Sequence, residues 1–441
     1  MKARAPQQVN VPEVKPREDT RVRQVRHYKL ITPLFGGGVE PNKADPITIV
    51  RGTEVRGHLR FWWRATRGGQ FDSSLDKMRR REEEIWGSAA AKGKPGPSDV
   101  IISIEILERG KPFQVQDNKG KTIHNIGDVK SPYSYVAFPL RDETSNPPVL
   151  EDVEFKLDIC YPAKWKQDVE AALWAWETFG GLGARTRRGF GALQLISVDD
   201  KPSPALRPEQ VEMELHNKLR QHVVPGRWQK DVPHLNHDLR MKVVIPARSQ
   251  ASSPIQVWSD LIQRLRNFRQ KRHKRMGLSL WPEANEIRRR LKQDQKWPPQ
   301  SNSPKLVHKF PRAVFGLPII FHLPHDKTLP TKSFTLQGKP DPDPASKKTF
   351  ERLSSVLILK PFPCNDGQAV GIAIILEAPI APPYGLEIKE LARDKEDVEW
   401  QLDKDEANSV PIREILHGQP DVIEAFLNSL EPIVRKQENN R

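Results

Sequence analysis

The chain has 441 residues, which is enough for two domains with cores of their own. Its 71 lysines and arginines outnumber its 56 acidic residues, and the net charge of +15 favours a polyanionic partner such as nucleic acid. No apolar run approaches the roughly 20 residues of a membrane-spanning helix, and the N-terminus lacks the apolar core of a secretory signal, so we expect a cytoplasmic protein that does not engage a membrane.

The first elements are an arm, a strand and a loop. Residues 1–22 are rich in proline and charge and predict a flexible arm. The first domain then begins at residue 23, with a strand predicted at 25–31. Residues 32–46, which contain Gly36, Gly37 and Gly38, predict a turn-rich loop.

The segment 51–67, RGTEVRGHLRFWWRATR, predicts a short helix with two unlike faces. Its apolar positions, spaced by four, three and four residues as on a helix packed against a core, are Val55, Leu59, Trp62 and Thr66. The opposite face carries Arg56, Arg60, Trp63, Arg64 and Arg67. Thr53 is the predicted N-cap.

The all-arginine face is informative because ordinary solvated helix faces mix charges of both signs. Guanidinium groups bind planar anions through paired hydrogen bonds and also stack on rings, which suits nucleic acid. We therefore predict nucleic-acid contact by this face and by its neighbours Arg51 and His58. The alternative is a surface helix that is rich in arginine and has no ligand.

The following elements complete a first domain at residues 23–198. A helix is predicted at 72–86, where the mixed charges of MRRREEEIW indicate a solvated face. Strands are predicted at 100–107 and 153–160, a helix at 163–179 and a last strand at 190–198. The order strand, helix, two strands, helix, strand predicts a ferredoxin-like α+β domain.

Residues 180–191, GGLGARTRRGFG, join the second of these helices to the last strand. Five glycines permit positive φ angles and a close approach of another backbone. Arginine side chains and free main-chain amides can bind phosphates, and we predict such contacts for Gly181, Gly183, Arg185, Thr186, Arg187 and Arg188. The pattern fits neither a dinucleotide fingerprint nor a P-loop, so we expect no nucleotide cofactor. A tight helix-to-strand turn is the alternative.

The second half repeats the same kinds of element. A proline-rich linker is predicted at 199–210 and a second domain at 211–441. Strands at 241–246, 314–321, 354–359 and 369–376, with helices at 257–273 and 421–430, predict a tandem of related domains. Residues 297–305 and 324–346 are predicted to be proline-rich loop inserts.

A basic stretch at residues 264–275 forms the third cationic cluster of the chain. We predict nucleic-acid contact for Arg269, Arg272 and Arg275. A solvated helix face and a contact with a partner protein remain alternatives.

Five motifs together resemble the RAMP superfamily of CRISPR proteins, and within it the first-subunit family of type III-B (Cmr) effector complexes. They are ITPLFGGG, RGTEVRGHLRFWWRATRGG, FGGLGARTRRGFGAL, FPRAVFGLP and RLSSVLILKP. The resemblance implies tandem ferredoxin-like, RRM-related domains and a non-catalytic, RNA-binding subunit in antiviral defence. Its implied partners are the 3′ region of the guide (CRISPR) RNA, the target RNA and other Cmr RAMP subunits. Residues 54–67 and 180–191 are the implied RNA-facing parts.

The main rival is an endoribonuclease, because some RAMP relatives process guide RNA with a histidine. His58 is the candidate, since RNA cleavage needs a general base and acid beside cations. His234, His237 and Asp238 have a loose metal-ligand spacing without a third spaced ligand, and the two cysteines, Cys160 and Cys364, are far apart in the sequence. We therefore predict no catalytic residue, metal or cofactor. A scaffold that binds only proteins is the third class.

Overall fold

The computed structural model describes residues 20–36, 45, 47–89, 96–117, 120–123, 125–140, 149–246, 252–292, 307–323, 331, 333–343, 345–346, 348–391 and 396–430. Residues 1–19 of the predicted arm, Gly37, Gly38 and the insert at 297–305 lie outside these ranges. The helices are α1 (Gly52–Arg67), α2 (Leu75–Trp86), α3 (Lys166–Phe179), α4 (Val211–His222), α5 (Pro254–Arg269), α6 (Glu283–Arg290), α7 (Lys404–Asn408), α8 (Arg413–Leu416) and α9 (Val422–Asn428).

The strands of the first half are β1 (Arg21–Leu30), β2 (Ile101–Pro112), β3 (Val115–Gln116), β4 (Thr122–Ile123), β5 (Leu150–Pro162), β6 (Leu193–Val198) and β7 (Lys201–Pro202). Those of the second half are β8 (Met241–Val244), β9 (Ile319–His322), β10 (Ser333–Gly338), β11 (Leu357–Pro363), β12 (Ala369–Ile375) and β13 (Leu386–Ile388). Among the described residues, no helix has both the length and the apolar character needed to cross a membrane.

The first half has the predicted ferredoxin-like topology. Its principal elements follow the order β1, α1, β2, β5, α3, β6, and its sheet has the strand order β2-β5-β1-β6-β7. The neighbouring pairs β2–β5, β5–β1 and β1–β6 are all antiparallel. This is the arrangement expected when two β-α-β units interleave in one sheet.

The helices α1 and α3 cover one face of this sheet. Val55, Leu59, Trp62 and Thr66 are all buried, as their helical spacing predicts. The ring of Trp62 lies 6.1 Å from that of Phe179, at the end of α3. Because α3 is enclosed by the sheet, α1 and α4, most of its residues are apolar and buried.

The second half contains a related but shorter unit. Its strands β8, β11 and β12 form an antiparallel sheet in the order β11-β12-β8, and α5 packs on β11 and β12. This order corresponds to β2-β5-β1 of the first half. No fourth strand joins this sheet within the described residues. The fold is therefore α+β, with two ferredoxin-like units of unequal size.

Two predicted features of the second half are wrong. The sequence predicts a loop insert at 324–346, but residues 333–338 form β10, which pairs with β9 and β13 in a separate sheet. Only the last three residues of the strand predicted at 314–321 are in a strand: residues 314 and 315 end the 3-10 turn Pro311–Phe315, and β9 begins at residue 319. Alternation over a few residues does not distinguish a strand from a short, buried turn.

The two halves share one hydrophobic core. Ile358, Val370 and Ile372 of the second sheet belong to the same buried cluster as Leu59 and Trp176 of the first half. Residues 223–239 also return to the first half: the amide of Leu235 donates to the carbonyl of Ala65 at 2.9 Å. The segment at residues 223–239 is consequently packed against the shared core.

Candidate nucleic-acid interface

The arginine face of α1 is already paired with carboxylates. Arg60 Nε lies 2.7 Å and Arg64 Nη1 lies 2.6 Å from the same atom, Glu82 Oε1 of α2. Arg67 Nε lies 3.6 Å from Asp168 Oδ1. Arg60 and Arg64 are about a third exposed, so they can reach a ligand, but much of their charge is neutralised within the protein.

The prediction that Trp63 lies on the outer face of α1 is wrong. Its side chain is fully buried, and its Nε1 donates a hydrogen bond of 2.8 Å to Asp168 Oδ1 of α3. The helix is covered on a second side, where the ring of Phe71 lies 5.9 Å from that of Trp63. Trp63 therefore stabilises the fold and cannot stack on a nucleobase.

The start of α1 also differs from the prediction. The N-cap is Arg51, which makes no side-chain capping hydrogen bond, and Thr53 lies inside the helix. Arg56 Nη2 donates to the carbonyl of Val100 at 3.4 Å, so this side chain lies along the neighbouring loop. Neither arrangement supplies the free cationic stripe that the sequence indicates.

Glu54 connects α1 to the glycine-rich loop at residues 180–191. Its Oε1 accepts a hydrogen bond of 2.7 Å from the amide of Gly183 and lies 3.7 Å from His58 Nε2. Gly183 has a φ of +77°, and a Cβ there would lie 2.5 Å from the carbonyl oxygen of Phe35. The two motifs are thus adjacent through Glu54, and only glycine fits at the junction.

Several main-chain amides of this loop are already hydrogen-bonded within the protein, which reduces the donors available to the predicted amide nest. Ala184 donates to Phe35 O at 2.6 Å, Leu182 to Gly191 O at 2.9 Å, and Gly191 to Pro33 O at 2.9 Å. Gly181 is packed against the loop itself, because a Cβ on it would lie 2.7 Å from Gly191 O.

Three arginines of the loop are bound only to neutral groups. Arg185 Nε donates to Val136 O at 2.6 Å, and its guanidinium lies 4.6 Å from the centre of the Phe138 ring. Arg188 donates to Leu357 O at 2.7 Å and to Phe315 O at 3.3 Å.

Arg187 follows the same pattern. It donates to Ser355 O and lies over the ring of Phe61. Thr186 begins the 3-10 turn that carries Arg187 and Arg188.

Arg269, at the end of α5, joins these three arginines from the other half. Its guanidinium lies 5.1 Å from the ring of Phe315 and 5.9 Å from that of Tyr135. Within the described part of the chain, Arg269 Nε is buried without a hydrogen-bond partner. We refer to Arg185, Arg187, Arg188 and Arg269 as the arginine cluster.

The arginine cluster is electrostatically unsatisfied. Burial lowers the pKa of Arg188 to about 9, with repulsion from Arg269 adding to the effect, and burial lowers the pKa of Arg185 to about 10. No carboxylate of the described residues lies within salt-bridge distance of the four guanidinium groups. An anion bound here would replace lost hydration and relieve this repulsion.

The rest of the basic stretch is arranged differently from the prediction. The helix predicted at 257–273 ends at Arg269, so Arg272 and Arg275 lie on the exposed turn that follows. Arg272 Nη1 donates to Gly277 O at 2.9 Å within that turn. Of the three predicted contacts, only Arg269 belongs to the arginine cluster.

The open face of the first sheet carries no aromatic platform on its central strands, β1 and β5, both of which the structure describes in full. RRM-type domains stack bases on aromatic side chains of this face. Here the outward positions carry paired polar groups: Arg23 and Lys29 form ion pairs with Asp158 and Glu154, and His27 Nε2 lies 3.3 Å from Glu154 Oε2. A face of mixed charge is a poor surface for RNA, which leaves the loop side of the domain as the cationic site.

The candidate metal ligands of the second half are engaged elsewhere. His234 stacks on Trp228 with 4.3 Å between ring centres, and its Nδ1 lies 2.9 Å from Val232 O. His237 Nε2 lies 2.8 Å from Val223 O. Among the described residues, no three histidine, cysteine or acidic side chains are grouped to hold a metal ion.

Sequence reasoning missed the segment at residues 125–140, which supplies Tyr135 and Phe138 to the arginine cluster. The segment contains short turns without helical or strand periodicity. Its aromatic run PYSY was the available signal.

Comparison with known proteins gives one family and several relatives. Residues 27–194 match the model described as RAMP superfamily. The CRISPR system Cmr subunit Cmr1-2 of Pyrococcus furiosus is 29% identical over 180 residues, which are 37% of this chain and 90% of that protein. Subunit Cmr1-1 of the same organism is 23% identical over 155 residues, which are 34% of this chain and 42% of that protein.

Two solved structures are similar over most of the chain. The crystal structure of Cmr1 from Pyrococcus furiosus in its apo form has a TM-score of 0.46 and 15% identity, and the match covers 93% of this chain and 97% of that one. A chain of the cryo-EM structure of the Type III-B Cmr-beta bound to cognate target RNA has a TM-score of 0.45 and 14% identity, with coverage of 81% and 95%.

Proposed function

We propose that the chain is a non-catalytic RNA-binding subunit of a type III-B CRISPR effector complex. The premise is that residues 27–194 match the RAMP superfamily and that part of the chain is similar to Cmr1 subunits, as the motifs predict. The observation that carries the proposal is the arginine cluster. Four guanidinium groups, partly stripped of water and without a carboxylate among the described residues, converge where the glycine-rich loop meets the second half.

The chemistry of this site suits the sugar-phosphate backbone. Arginine presents parallel N–H donors that match two phosphate oxygens, and each phosphate it neutralises releases counterions. Such contacts position RNA without reading its sequence, so one site can accept many guide or target sequences. The exposed turn with Arg272 and Arg275 extends the positive surface beyond the cluster.

The partners follow from the relatives. Because the similar proteins of Pyrococcus furiosus are Cmr subunits of a CRISPR system, the proposed ligands are the 3′ region of the guide RNA and the target RNA, with other Cmr RAMP subunits as protein partners. The proposed role is in antiviral defence, in the cytoplasm.

The alternative is a guide-processing endoribonuclease centred on His58. The feature that favours it is the His58–Glu54 pair, which lies against the glycine-rich loop. Cleavage through the 2′-hydroxyl needs an acid as well as a base. We propose that His58 positions Glu54, whose carboxylate holds the loop, and does not transfer protons to RNA.

One experiment separates the three classes. The protein is titrated against a fluorescent single-stranded RNA at several salt concentrations, and the same RNA is analysed for cleavage with Mg²⁺ and with EDTA. The proposal expects tight, salt-sensitive binding and intact RNA. Cleavage in EDTA that is lost in His58→Ala would establish the nuclease, and the absence of RNA binding would leave a protein-binding scaffold.

A further inference from the structure

Phe138 is an exposed aromatic side chain beside the arginine cluster. It begins the 3-10 turn Phe138–Leu140, and 53% of its surface is accessible to solvent. Only one other aromatic ring of the described residues, that of Tyr384, is comparably exposed. Half of this apolar ring remains in water and is therefore accessible to a ligand.

The backbone on both sides of Phe138 is held by buried neighbours and hydrogen bonds. Its neighbours Ala137 and Leu140 are buried, and the amide of Leu140 donates a hydrogen bond of 2.9 Å to Ala137 O. The side-chain amide of Asn125 donates to Leu140 O at 2.7 Å. The backbone that carries Phe138 is therefore anchored to buried residues on both sides of it.

Arg185 is also held in position against this ring. It has a left-handed backbone with a φ of 59°, and its Nε donates to Val136 O at 2.6 Å. Its guanidinium lies 4.6 Å from the centre of the Phe138 ring. The result is an arginine–phenylalanine stack next to the cations of the loop.

We propose that Phe138 stacks on one nucleobase of a single-stranded RNA whose phosphates are bound by the arginine cluster. This rests on the proposed function and adds a base-binding position to it. Every nucleobase has a π-face, so stacking tolerates any sequence, in agreement with a site that must accept many guides or targets. A neighbouring guanidinium strengthens such stacking and attracts the adjoining phosphate.

Tyr384 provides the matched control, because its surroundings repel RNA. It packs on Phe350, and partial desolvation, followed by the charges of Asp341 and Asp343, raises the pKa of its hydroxyl. An aromatic ring that is exposed but bordered by carboxylates cannot sit beside a phosphate backbone without repulsion. Loss of this ring should therefore leave RNA binding unchanged.

The test uses the full chain and a single-stranded RNA with 2-aminopurine at successive positions. Phe138→Leu, which keeps an apolar side chain but removes the stacking surface, should weaken binding roughly tenfold and abolish quenching at one position. Phe138→Trp should retain both properties, and Tyr384→Leu should behave as wild type. The slope of log affinity against log salt should be the same for all four proteins, because no phosphate contact is changed.

The outcomes distinguish this inference from the proposed function. If wild-type protein binds RNA and Phe138→Leu binds equally well with unchanged quenching, the stacking role is overturned and the RNA-binding function stands. If Phe138→Leu lowers the salt slope instead, the residue acts through the arginine cluster and not on a base. If wild-type protein does not bind RNA, the proposed function itself fails.

Discussion

The indole Nε1 of Trp258 in α5 donates a hydrogen bond of 2.8 Å to the main-chain carbonyl of Arg188 in the glycine-rich loop. The bond joins the second half to the first at the centre of the arginine cluster. Arg188 in turn donates to Leu357 O of β11, so the loop is held by two elements of the other half. The conformation of the loop therefore depends on how both halves pack, and local sequence does not set it alone.

Gly189 is where this packing is tightest, and its substitution should be costly. Gly189 has a φ of +83°, and a Cβ there would lie 2.6 Å from Trp258 Cδ1. Gly189→Ala should lower the free energy of unfolding by more than about 1 kcal/mol, because strain and a steric clash act together. It should also weaken RNA binding by displacing Arg188.

Gly57→Ala is the control for this substitution. Gly57 lies within α1, and a Cβ added to it would come within 4 Å of no other side chain or neighbouring element among the described residues. Alanine there should raise the free energy of unfolding by about 0.5–1 kcal/mol. Chemical denaturation of both variants is the measurement, and equal stability of the two would contradict the close packing at Trp258.

The arginine cluster should account for the salt dependence of RNA binding. Arg185→Gln and Arg188→Gln remove one cation each, and each should weaken binding and lower the slope of log affinity against log salt by about 0.7 per phosphate released. Arg23→Gln is the matched control, because Arg23 is an exposed arginine paired with Asp158 on the open sheet face. A control that lowers the slope as much as Arg188→Gln would show diffuse binding and no defined site.

Local periodicity predicts many of the helices and strands of the first half, because the pattern that indicates each element lies within a few consecutive residues. The buried stripe of Val55, Leu59 and Trp62 and the order of the elements are confirmed. The burial of Trp63 was missed because it is produced by Asp168 and Phe71, which lie outside the helix. A helical wheel shows which residues share a face but not how many faces are covered.

The pairing of the arginines was hidden for the same reason. The run MRRREEEIW in α2 contains several acidic residues, and only the packing of α2 on α1 places Glu82 between Arg60 and Arg64. Conversely, the arginines of the glycine-rich loop have neutral partners, because these partners are the main-chain carbonyls of residues 136, 315, 355 and 357. Composition cannot reveal whether the arginines of α1 or those of the arginine cluster remain available to an anion.

Glu82 should therefore stabilise the fold more than it affects RNA binding. Glu82→Gln leaves Arg60 and Arg64 without their carboxylate and should lower the free energy of unfolding by about 1–3 kcal/mol, an intermediate value because both arginines are partly exposed. RNA affinity should stay constant or rise, since two cations are released from an internal partner. A loss of affinity in a protein that remains folded would mean that the α1 arginines must be held by Glu82 to bind RNA.

Trp63 should stabilise the fold through its hydrogen bond to Asp168 as well as through the volume that its ring fills. Trp63→Phe removes the donor to Asp168 while it keeps most of the ring, and should lower the free energy of unfolding by about 1–3 kcal/mol. Trp63→Ala should cost about 3–5 kcal/mol because it also creates a cavity. Denaturation of the two variants tests this order. A Trp63→Phe protein as stable as wild type would show that the Asp168 contact contributes nothing.

The burial of Lys360 should make the stability of the protein depend on pH. This side chain of β11 is almost wholly buried and donates to Gly180 O at 2.9 Å and to Glu177 O at 3.2 Å, at the end of α3. Burial lowers its pKa from 10.5 to about 7. Between pH 7 and 10.5 the unfolded chain therefore binds more protons at Lys360 than the folded protein does, and the free energy of unfolding should rise with pH, by up to about 1.4 kcal/mol per unit.

A comparison with Lys360→Met isolates this contribution from the other groups that titrate in alkaline solution. Urea denaturation at roughly pH 7, 8.5 and 10, which spans the window between the two pKa values, should show wild type gaining stability relative to Lys360→Met as the pH rises, with no further relative change below about pH 7. Lys339→Met, which removes a lysine paired with Asp397 near the surface, should give a curve parallel to that of wild type. If the curve of Lys360→Met is also parallel, Lys360 keeps its charge in the folded protein, and the carbonyls at the end of α3 compensate fully for its burial.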